Sequence, residues 1–412
     1  MTTNDALIQR FEGRADPASL NFSNLGFSYV KTNGHVKYTW KDGKWDSGVF
    51  QPNFDLHLDI AATVLHYGQS CFEGLKAFRM KDGKIRVFRP EANARRMQRS
   101  CHGLCMAEPP VDMFLEGVRR AVEANAEYVP PYGSNGSLYV RPFVFGFGAQ
   151  VGLSPATEYL FMVLVSPVGE YYAGGMGSPT KAVIKHKFDR AAAHGMGKVK
   201  AGGNYAPTLL PTLECKKKGF SVMLFLDPKE NKYVDEFATS NFAALTKPDA
   251  ATGKRTYVTP KSSSVLASVT NRSLCELAHR RFGWNVERRR VAFDEVLSGA
   301  FAEIAACGTA VIITPVAEIH REVASSSAAI KSVTSQPPHD TSSLSPPHDT
   351  DDPFGFDEEE PVEETTYEVA KIAEPGTKFE GFAQLYEAYR ALQYGQLDGW
   401  EEYGWMWPAE GI

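Results

Sequence analysis

The sequence lacks the long apolar run that a membrane-spanning helix needs. Its longest uninterrupted apolar stretch, from Tyr159 to Val165, has the length of a strand, well short of the roughly 18–20 residues of a span. It also lacks an excess of positive charge, because 44 lysines and arginines stand against 49 acidic residues, for a formal net charge of −5. A protein that binds nucleic acid through a basic face is therefore not expected.

Cysteine is scarce, and its six copies are too scattered for a disulfide framework. Cys101, His102 and Cys105 have the spacing of half a metal site, but no second pair completes it, so no metal is expected. The N-terminal residues include Asp5 and Glu12 and contain no apolar segment typical of a secretory signal. We therefore expect reduced thiols and a cytoplasmic location.

The length of 412 residues predicts two or three domains at about 150 residues each. Helical and strand patterns intermingle without a strict βαβ alternation, which predicts an α+β fold. We place an N-terminal α+β domain at 1–168, a Gly- and Pro-rich linker at 169–179 and a C-terminal domain at 180–412. The linker assignment depends on the density of chain-breaking residues in that stretch.

The periodic pattern disappears between 323 and 364. This segment is rich in Ser, Thr and Pro, and 349–364 contains nine acidic residues and no Lys or Arg. Such a composition buries too little apolar surface to offset the entropy of ordering, so we predict a disordered insertion within the C-terminal domain. An acidic segment that recruits a partner is the alternative. Without the nine acids, 44 basic residues face 40 acidic ones, and the rest of the chain carries +4.

A glycine-rich stretch, Gly195-Met-Gly-Lys-Val-Lys-Ala-Gly-Gly-Asn-Tyr205, contains two lysines. It is not a Walker phosphate loop, because Lys198 is followed by Val199 where that motif needs Ser or Thr. The dinucleotide-binding glycine pattern is also incomplete. Two solvated lysines are one interpretation, and a nucleophilic amine that forms a Schiff base with a carbonyl cofactor is the other. The second interpretation requires three further groups around the cofactor: an anion site, a carboxylate that faces a pyridinium nitrogen and a hydrogen-bond donor to a phenolic oxygen.

The segment Val199-Lys-Ala-Gly-Gly-Asn-Tyr, with Tyr67-Gly-Gln-Ser-Cys-Phe-Glu-Gly-Leu-Lys-Ala-Phe upstream, closely resembles the branched-chain amino acid aminotransferases. Further matches occur in the family's order, among them Ser137-Leu-Tyr-Val-Arg-Pro, Asp235-Glu-Phe-Ala-Thr-Ser-Asn-Phe and Gly308-Thr-Ala. The resemblance implies a two-domain, D-amino acid aminotransferase-like fold-type IV enzyme whose C-terminal domain binds pyridoxal 5′-phosphate (PLP). It also implies a homodimer that transaminates Leu, Ile or Val with 2-oxoglutarate to the branched 2-oxo acid and glutamate.

The same resemblance assigns the cofactor site. Lys200 would hold PLP covalently and move the substrate proton, Glu236 would face the pyridine nitrogen, and Tyr205 would donate to the phenolic oxygen. Taken alone, Glu236 would be an exposed strand acid and Tyr205 a core tyrosine. The residues implied to meet the phosphate are Arg96, Val269, Thr270 and Thr309. Without the resemblance, Arg96 would be interpreted as part of a solvated basic face.

The resemblance also assigns residues to the substrate pocket. The implied aromatic walls are Phe27, Tyr67, Tyr139 and Tyr171, each of which has core packing as its alternative role. The implied contacts of the substrate's carboxylates are Thr239, the Thr309–Ala310 turn and, for the second carboxylate of 2-oxoglutarate, Arg141.

One segment departs from the family pattern. Many members have Leu-Pro-Gly-Val-Thr-Arg where this chain has Leu266-Ala-Ser-Val-Thr-Asn271, which predicts a looser phosphate-binding turn. Two alternative functions stay open at this point. One is another enzyme of the same fold, a D-amino acid aminotransferase or an aminodeoxychorismate lyase, and the other is a non-catalytic relative that acts as a binding protein.

Overall fold

A computed structural model describes residues 13–169, 176, 178–323 and 365–412. Two nine-stranded sheets, each covered by helices, make up this part of the chain. Tyr171 and nearly all of the predicted insertion at 323–364 lie outside the described residues. In the described ranges, no helix is both long enough and apolar enough to cross a membrane.

The first sheet is antiparallel throughout. Its strands are β1 (His35–Lys41), β2 (Lys44–Trp45), β3 (Val49–Gln51), β4 (Ser70–Phe72), β5 (Leu75–Arg79), β6 (Ile85–Phe88), β7 (Ser137–Gly146), β8 (Tyr159–Val168) and, from the end of the chain, β18 (Met406–Trp407). Because β18 pairs with β6, the last residues of the chain complete this sheet. The division at 168 and 180 remains a prediction.

Three helices accompany the first sheet: α1 (Thr63–Tyr67), α2 (Pro90–Gly103) and α3 (Val111–Glu123). Phe114, Val118 and Val122 recur at helical spacing on α3 and are fully buried in one apolar cluster with the sheet. The ring of Phe114 stacks on that of Phe161 of β8, with 5.9 Å between centroids. This packing covers one face of the sheet and leaves the other available for the cleft described below.

The second sheet mixes parallel and antiparallel pairs. Its strands are β9 (Thr180–Ile184), β10 (Val222–Leu226), β11 (Val234–Phe237), β12 (Ser240–Leu245), β13 (Thr256–Pro260), β14 (Asn285–Arg289), β15 (Glu303–Gly308), β16 (Ile312–Val323) and β17 (Thr366–Lys371). Strand β9 runs parallel to β10 and β16, and β13 runs parallel to β14. Together with the helices, this arrangement is the α+β architecture that the sequence predicts.

Helices cover both faces of the second sheet. They are α4 (Leu209–Lys217), α5 (Val269–Arg280), α6 (Phe293–Leu297) and α7 (Glu380–Gln393). Tyr257 on β13 packs with Leu274 of α5 and Phe382 of α7, whereas its neighbour Val258 packs with Phe293 of α6. Successive strand residues point to opposite faces, so one strand contributes to two separate cores.

Strands β16 and β17 form an antiparallel pair in which Val323 lies opposite Thr366. The residues between 323 and 366 therefore join two neighbouring strands at one end of the sheet. Val323, at the first position of the predicted insertion, is the last residue of β16. A long connection at this point leaves the strand pairing intact, because loop-closure entropy grows slowly with loop length.

Candidate active site

Lys200 lies where the two sheets meet. Its carbonyl oxygen accepts from the N–H of Phe72 at 3.2 Å, and its own N–H donates to the Ser100 hydroxyl at 3.1 Å. The glycine-rich stretch packs tightly beside it, since a Cβ on Gly197 would lie 2.2 Å from the carbonyl oxygen of Ser264. The amide of Asn204 closes the loop by donating to two backbone oxygens at 2.8 Å. The lysine is thus held by both halves of the chain.

Burial lowers the pKa of the Lys200 amine to about 7. The nearby Arg96 and Arg141 lower it further, and Glu73 and Glu236 oppose the fall. The amine donates to the Tyr205 hydroxyl at 2.8 Å and lies 4.5 Å from the ring centre of Phe72. A lysine that is substantially neutral near pH 7 can act both as a nucleophile and as a base.

We expect the reactivity of Lys200 toward a small aldehyde to rise as the pH increases through about 7, because the neutral amine is the reacting form. Reductive methylation of protein first dialysed against hydroxylamine, from about pH 5.5 to about pH 9.5, would show this by peptide mass spectrometry. The exposed Lys198 of the same loop is modified in the same samples and serves as the comparison. Parallel curves for the two lysines would contradict the prediction.

Glu236 on β11 is buried, with 3% of its surface exposed, so it is not the exposed strand acid that its sequence alone allows. Its carboxylate accepts from the N–H of Leu266 at 2.9 Å, from Nδ2 of Asn241 at 2.5 Å and from Nη2 of Arg190 at 2.8 Å. Burial raises the pKa of Glu236 to about 7, and these donors oppose the rise. Its ionisation near neutral pH therefore depends on its hydrogen-bond partners.

Tyr205 follows the glycine-rich stretch and contacts the ring of Phe72, with 5.2 Å between centroids. Burial raises the pKa of Tyr205 to about 12. The phenol therefore keeps its proton at neutral pH and can donate a hydrogen bond.

Arg96 on α2 is buried and forms a bidentate ion pair with Glu73. Nε lies 2.7 Å from Oε1 of Glu73 and Nη2 lies 2.6 Å from Oε2, while Nη1 donates to the carbonyl oxygen of Ala267 at 2.9 Å. Helical spacing puts Asn93 and Ser100 on the same buried face as Arg96, whereas Arg95 and Arg99 are exposed, so Arg96 is not part of a solvated basic face. Within the described ranges three of the five guanidinium N–H groups have acceptors, which leaves two for an anion.

Glu73 is absent from the set of predicted site residues. It is fully buried and also accepts from Nδ2 of Asn93 at 2.8 Å. The signal that could have found it is a pair of charged residues, Glu73 and Lys76, within an otherwise apolar stretch, because buried charges need partners.

The predicted phosphate contacts lie around the start of α5. Ser268 caps this helix by accepting from the N–H of Asn271 at 3.1 Å. In the described ranges, no protein group accepts from the N–H groups of Val269 and Thr270 at its first turn. Thr309 faces the same small cleft from the β15–β16 turn, and its hydroxyl donates to Gly74 at 3.3 Å. Free N–H groups at a helix start suit a phosphate.

Strand alternation sets the opposite wall of the cleft. On β7, Leu138 and Val140 enter the core, so Tyr139 and Arg141 face the cleft. Nη2 of Arg141 donates to the Tyr139 hydroxyl at 2.9 Å, and its guanidinium carbon lies 4.7 Å from the ring centre of Phe72. Nε of Arg141 is buried and has no hydrogen-bond partner in the part of the chain that the structure describes. The guanidinium of Arg141 therefore lies against aromatic rings, and its Nε–H group remains available to a bound ligand.

The remaining substrate-side residues are distributed unevenly. Phe27 packs edge-on against Tyr139, with 5.4 Å between centroids. Thr239 lines the same cavity as Lys200, and the carbonyl oxygen of Ala310 accepts from the buried Lys76 at 2.9 Å. Phe72, whose ring lies near both Lys200 and Arg141, is absent from the predicted site although it belongs to the segment from Tyr67 to Phe78 that carries the family resemblance.

Tyr67 is not brought to this cleft by the single chain. It is 43% exposed, and its hydroxyl donates to the carbonyl oxygen of Val151. Tyr171 belongs to the residues that the structure does not describe.

One cavity brings the cofactor-side groups together. It is lined by Arg96, Arg190, Lys200, Tyr205, Glu236, Ala238, Thr239, Ser240, Asn241, Leu266, Ser268, Cys307, Gly308 and Thr309. An amine, a carboxylate, a phenol and a guanidinium line this one cavity, and the N–H groups of Val269 and Thr270 lie nearby at the start of α5. This donor set fits a phosphorylated pyridine aldehyde, so the residues present fit PLP.

Comparison with known proteins matches residues 70–319 to the family amino-transferase class IV. A branched-chain-amino-acid aminotransferase of Haemophilus influenzae is 43% identical over 305 residues, covering 73% of this chain and 86% of that protein. The protein of the same name from Helicobacter pylori is 44% identical over 301 residues with the same coverage. A solved branched-chain amino acid aminotransferase from Thermobaculum terrenum, in its PLP form, has a TM-score of 0.62 at 19% identity. The match covers 91% of this chain and 98% of that one, which is a likeness of fold.

Proposed function

We propose that this chain, which belongs to the class IV aminotransferases, transfers the amino group of an L-branched-chain amino acid to 2-oxoglutarate. It is a PLP-dependent enzyme, a branched-chain amino acid transaminase, and its fold is that of fold-type IV. The observation that carries the function is the buried Lys200 amine, 2.8 Å from the Tyr205 hydroxyl and in one cavity with Glu236.

Bound PLP supplies an aldehyde that takes up the amino group and a ring that accepts electrons from the substrate. We assign its aldehyde end to Lys200, its ring nitrogen to Glu236 and its phenolic oxygen to Tyr205. The residues we assign to its phosphate are Arg96, Val269, Thr270 and Thr309. The segment that leads into α5 supports the assignment, since Leu266 donates its N–H to Glu236 and the next residue, Ala267, accepts from Arg96.

Each side chain has a separate task in the proposed reaction. The neutral amine of Lys200 accepts a proton at Nζ and returns it, and a pKa of about 7 suits both directions at physiological pH. The Tyr205 hydroxyl orients this amine. The three donors around Glu236 favour its negative charge, which keeps a proton on a nitrogen that faces it.

The substrate pocket follows from the walls of the cleft. We propose that Phe27, Phe72 and Tyr139 enclose the branched side chain, with Tyr171 as a further aromatic wall implied by the resemblance. Thr239 and the Thr309–Ala310 turn would meet the α-carboxylate. Burial without directed bonds suits leucine, isoleucine and valine alike, because one methylene is worth only about 1–3 kcal/mol.

We expect Arg141→Met to lower kcat/KM for 2-oxoglutarate by roughly 10- to 100-fold, because a hydrogen bond to a charged group contributes about 1.5–3 kcal/mol. The same change should alter kcat/KM for 4-methyl-2-oxopentanoate by less than about threefold, since this oxo acid has no second carboxylate. Steady-state kinetics with both oxo acids measures the difference.

The wild-type protein in the same assay tests the function itself. L-Leucine should be a good donor to 2-oxoglutarate and D-alanine a poor one. Rapid turnover of D-alanine would favour a D-amino acid aminotransferase, and equal losses for both oxo acids would remove Arg141 from its proposed role.

An exposed apolar face supports a homodimer. Its members come from 60–67 and 149–153, which are joined by a hydrogen bond from Gln150 N–H to the carbonyl oxygen of Ala61. The exposed side chains of this face are Ile60, Leu65, Tyr67, Val151 and Leu153. We propose that a second copy of the chain covers this face and that Tyr67 lies at the subunit interface. Sedimentation equilibrium would show twice the 45.4 kDa mass of the chain.

A cytoplasmic location is likewise our proposal. All six cysteines are free thiols in the structure, and the Sγ atoms of Cys71 and Cys101 lie 3.6 Å apart in a thiol hydrogen bond rather than a disulfide. Free thiols at this distance suit a reducing compartment, and cell fractionation would test the location.

A further inference from the structure

A line of buried side chains leads from the interior of the second sheet to the carboxylate of Glu236. The Tyr257 hydroxyl donates to Oδ1 of Asn271 at 2.8 Å, and Nδ2 of Asn271 donates to Oδ1 of Asn241 at 3.1 Å. Nδ2 of Asn241 then donates to Oε2 of Glu236 at 2.5 Å. All four side chains are buried, so water does not compete for these bonds.

The direction of these bonds is set by a backbone carbonyl group. Thr259 donates its one hydroxyl proton to the carbonyl oxygen of Phe242 at 2.8 Å, so its oxygen must accept from Nδ2 of Asn271, also at 2.8 Å. This places the amide nitrogen of Asn271 toward Asn241, whose carbonyl oxygen must then face Asn271. The N–H₂ group of Asn241 is consequently the end that faces Glu236, and it also donates to the carbonyl oxygen of Leu266 at 3.2 Å.

We propose that Asn271 is a positioning residue that, together with the carbonyl oxygen of Leu266, fixes the amide of Asn241 with its N–H₂ group toward Glu236 and thereby favours the ionised carboxylate. The inference rests on the proposed function, in which Glu236 faces the ring nitrogen of PLP. If the amide of Asn241 turned over, its oxygen would lie against the carboxylate, and only a protonated Glu236 could then bond to it.

Other groups also act on Glu236 and must be separated from this effect. Arg190 makes its ion pair from the segment after β9, and Leu266 donates its N–H from the segment before α5. Lys200 and Tyr205 face it from the glycine-rich stretch, and the Cys307 thiol approaches from β15. Among the described residues, the hydrogen-bond partners of the Asn271 side chain are Tyr257, Asn241, Thr259 and the Cys275 thiol, so a change at position 271 leaves the bonds of these other groups to Glu236 in place.

The test is the protonation of Glu236 in full-length protein, measured with and without PLP by infrared spectroscopy of ¹³C-glutamate-labelled samples. Subtraction of the Glu236→Gln spectrum isolates the band of this carboxyl group. We expect Asn271→Leu to raise the midpoint of its titration by about one pH unit, a tenfold change in the protonation equilibrium. Asn271→Asp, which replaces the donor by an acceptor, should raise it at least as far.

Two further variants make the outcome unambiguous. Tyr257→Phe removes only the hydroxyl that holds Asn271 and should move the midpoint in the same direction by a smaller amount, which keeps the test available if Asn271→Leu does not fold. Asn125→Asp alters a fully buried asparagine of the first domain and should leave the band unmoved. An unchanged midpoint in folded Asn271 variants, or an equal shift in Asn125→Asp, would overturn the inference.

Failure of this inference and failure of the proposed function give different results. If Glu236→Gln binds PLP and turns over leucine like the wild type, Glu236 has no role toward the cofactor, whatever its titration shows. If Glu236→Gln is impaired while the midpoint in the Asn271 variants is unchanged, the role of Glu236 stands and that of Asn271 does not.

Discussion

Replacing Lys200 by alanine should lower kcat/KM for L-leucine and 2-oxoglutarate by about 10⁴-fold or more, because both the nucleophile and the proton-transferring base are lost. The neighbouring Lys198 provides a matched control, since it lies two residues away in the same loop and is exposed. Lys198→Ala should keep wild-type kinetics to within about twofold, as expected for a surface change away from the reacting groups. Coupled measurement of glutamate formation at several leucine concentrations would determine both values.

The optical properties of the protein separate loss of chemistry from loss of folding. Wild-type protein should show a visible absorbance that borohydride removes, and Lys200→Ala should lack that signal while unfolding as cooperatively as the wild type. Substantial turnover by Lys200→Ala would refute the assignment of the amine. The same conclusion would follow if borohydride fixed the cofactor to another lysine.

Glu73→Ala should lower the free energy of unfolding by about 3–5 kcal/mol, because it leaves the guanidinium of Arg96 buried without its counter-ion. Glu73 is fully buried, Arg96 is 4% exposed, and the pair is bidentate at 2.6 and 2.7 Å. Loss of the pair should also weaken PLP binding, since Arg96 would no longer be held beside the start of α5. Urea unfolding of the cofactor-free protein, followed by PLP titration, would measure the two effects separately.

A surface ion pair supplies the control for this prediction. Glu116 and Arg119 on α3 are also bidentate, at 3.0 Å, but both side chains are at least 40% exposed. Glu116→Ala should therefore cost less than about 1 kcal/mol. Equal destabilisation by the two substitutions would show that the buried pair has no special importance.

Several features were available from the sequence because they depend on residues close together in the chain. The glycine-rich stretch with Lys200 and Tyr205 identifies the amine and the phenol, which the structure places 2.8 Å apart. The apolar run from Tyr159 to Val165, which has the length of a strand, lies within β8. The family resemblance, the fold type and the cofactor are confirmed by the comparisons.

Other features depend on contacts between distant segments. Glu73 lies 23 residues from Arg96, and Asn241 lies 30 residues from Asn271, so neither pair has a spacing that a sequence pattern would reveal. Asn271 is an example of such a residue. In the sequence it is only a position that differs from the family pattern, and it predicts a looser phosphate-binding turn. In the structure its side chain bonds to Tyr257, Asn241 and Thr259, and Ser268 caps the helix it occupies.

The sequence by itself determined which chemical groups this protein has and in what order, because an amine, a carboxylate or a phenol is a property of one residue. Only the tertiary structure decided how strongly each group holds its proton and which partner it faces. Burial shifts the pKa of Lys200 and that of Glu236 toward each other, both to about 7. Since burial and hydrogen bonding arise where two sheets and their helices meet, these properties are determined by the packed structure as a whole.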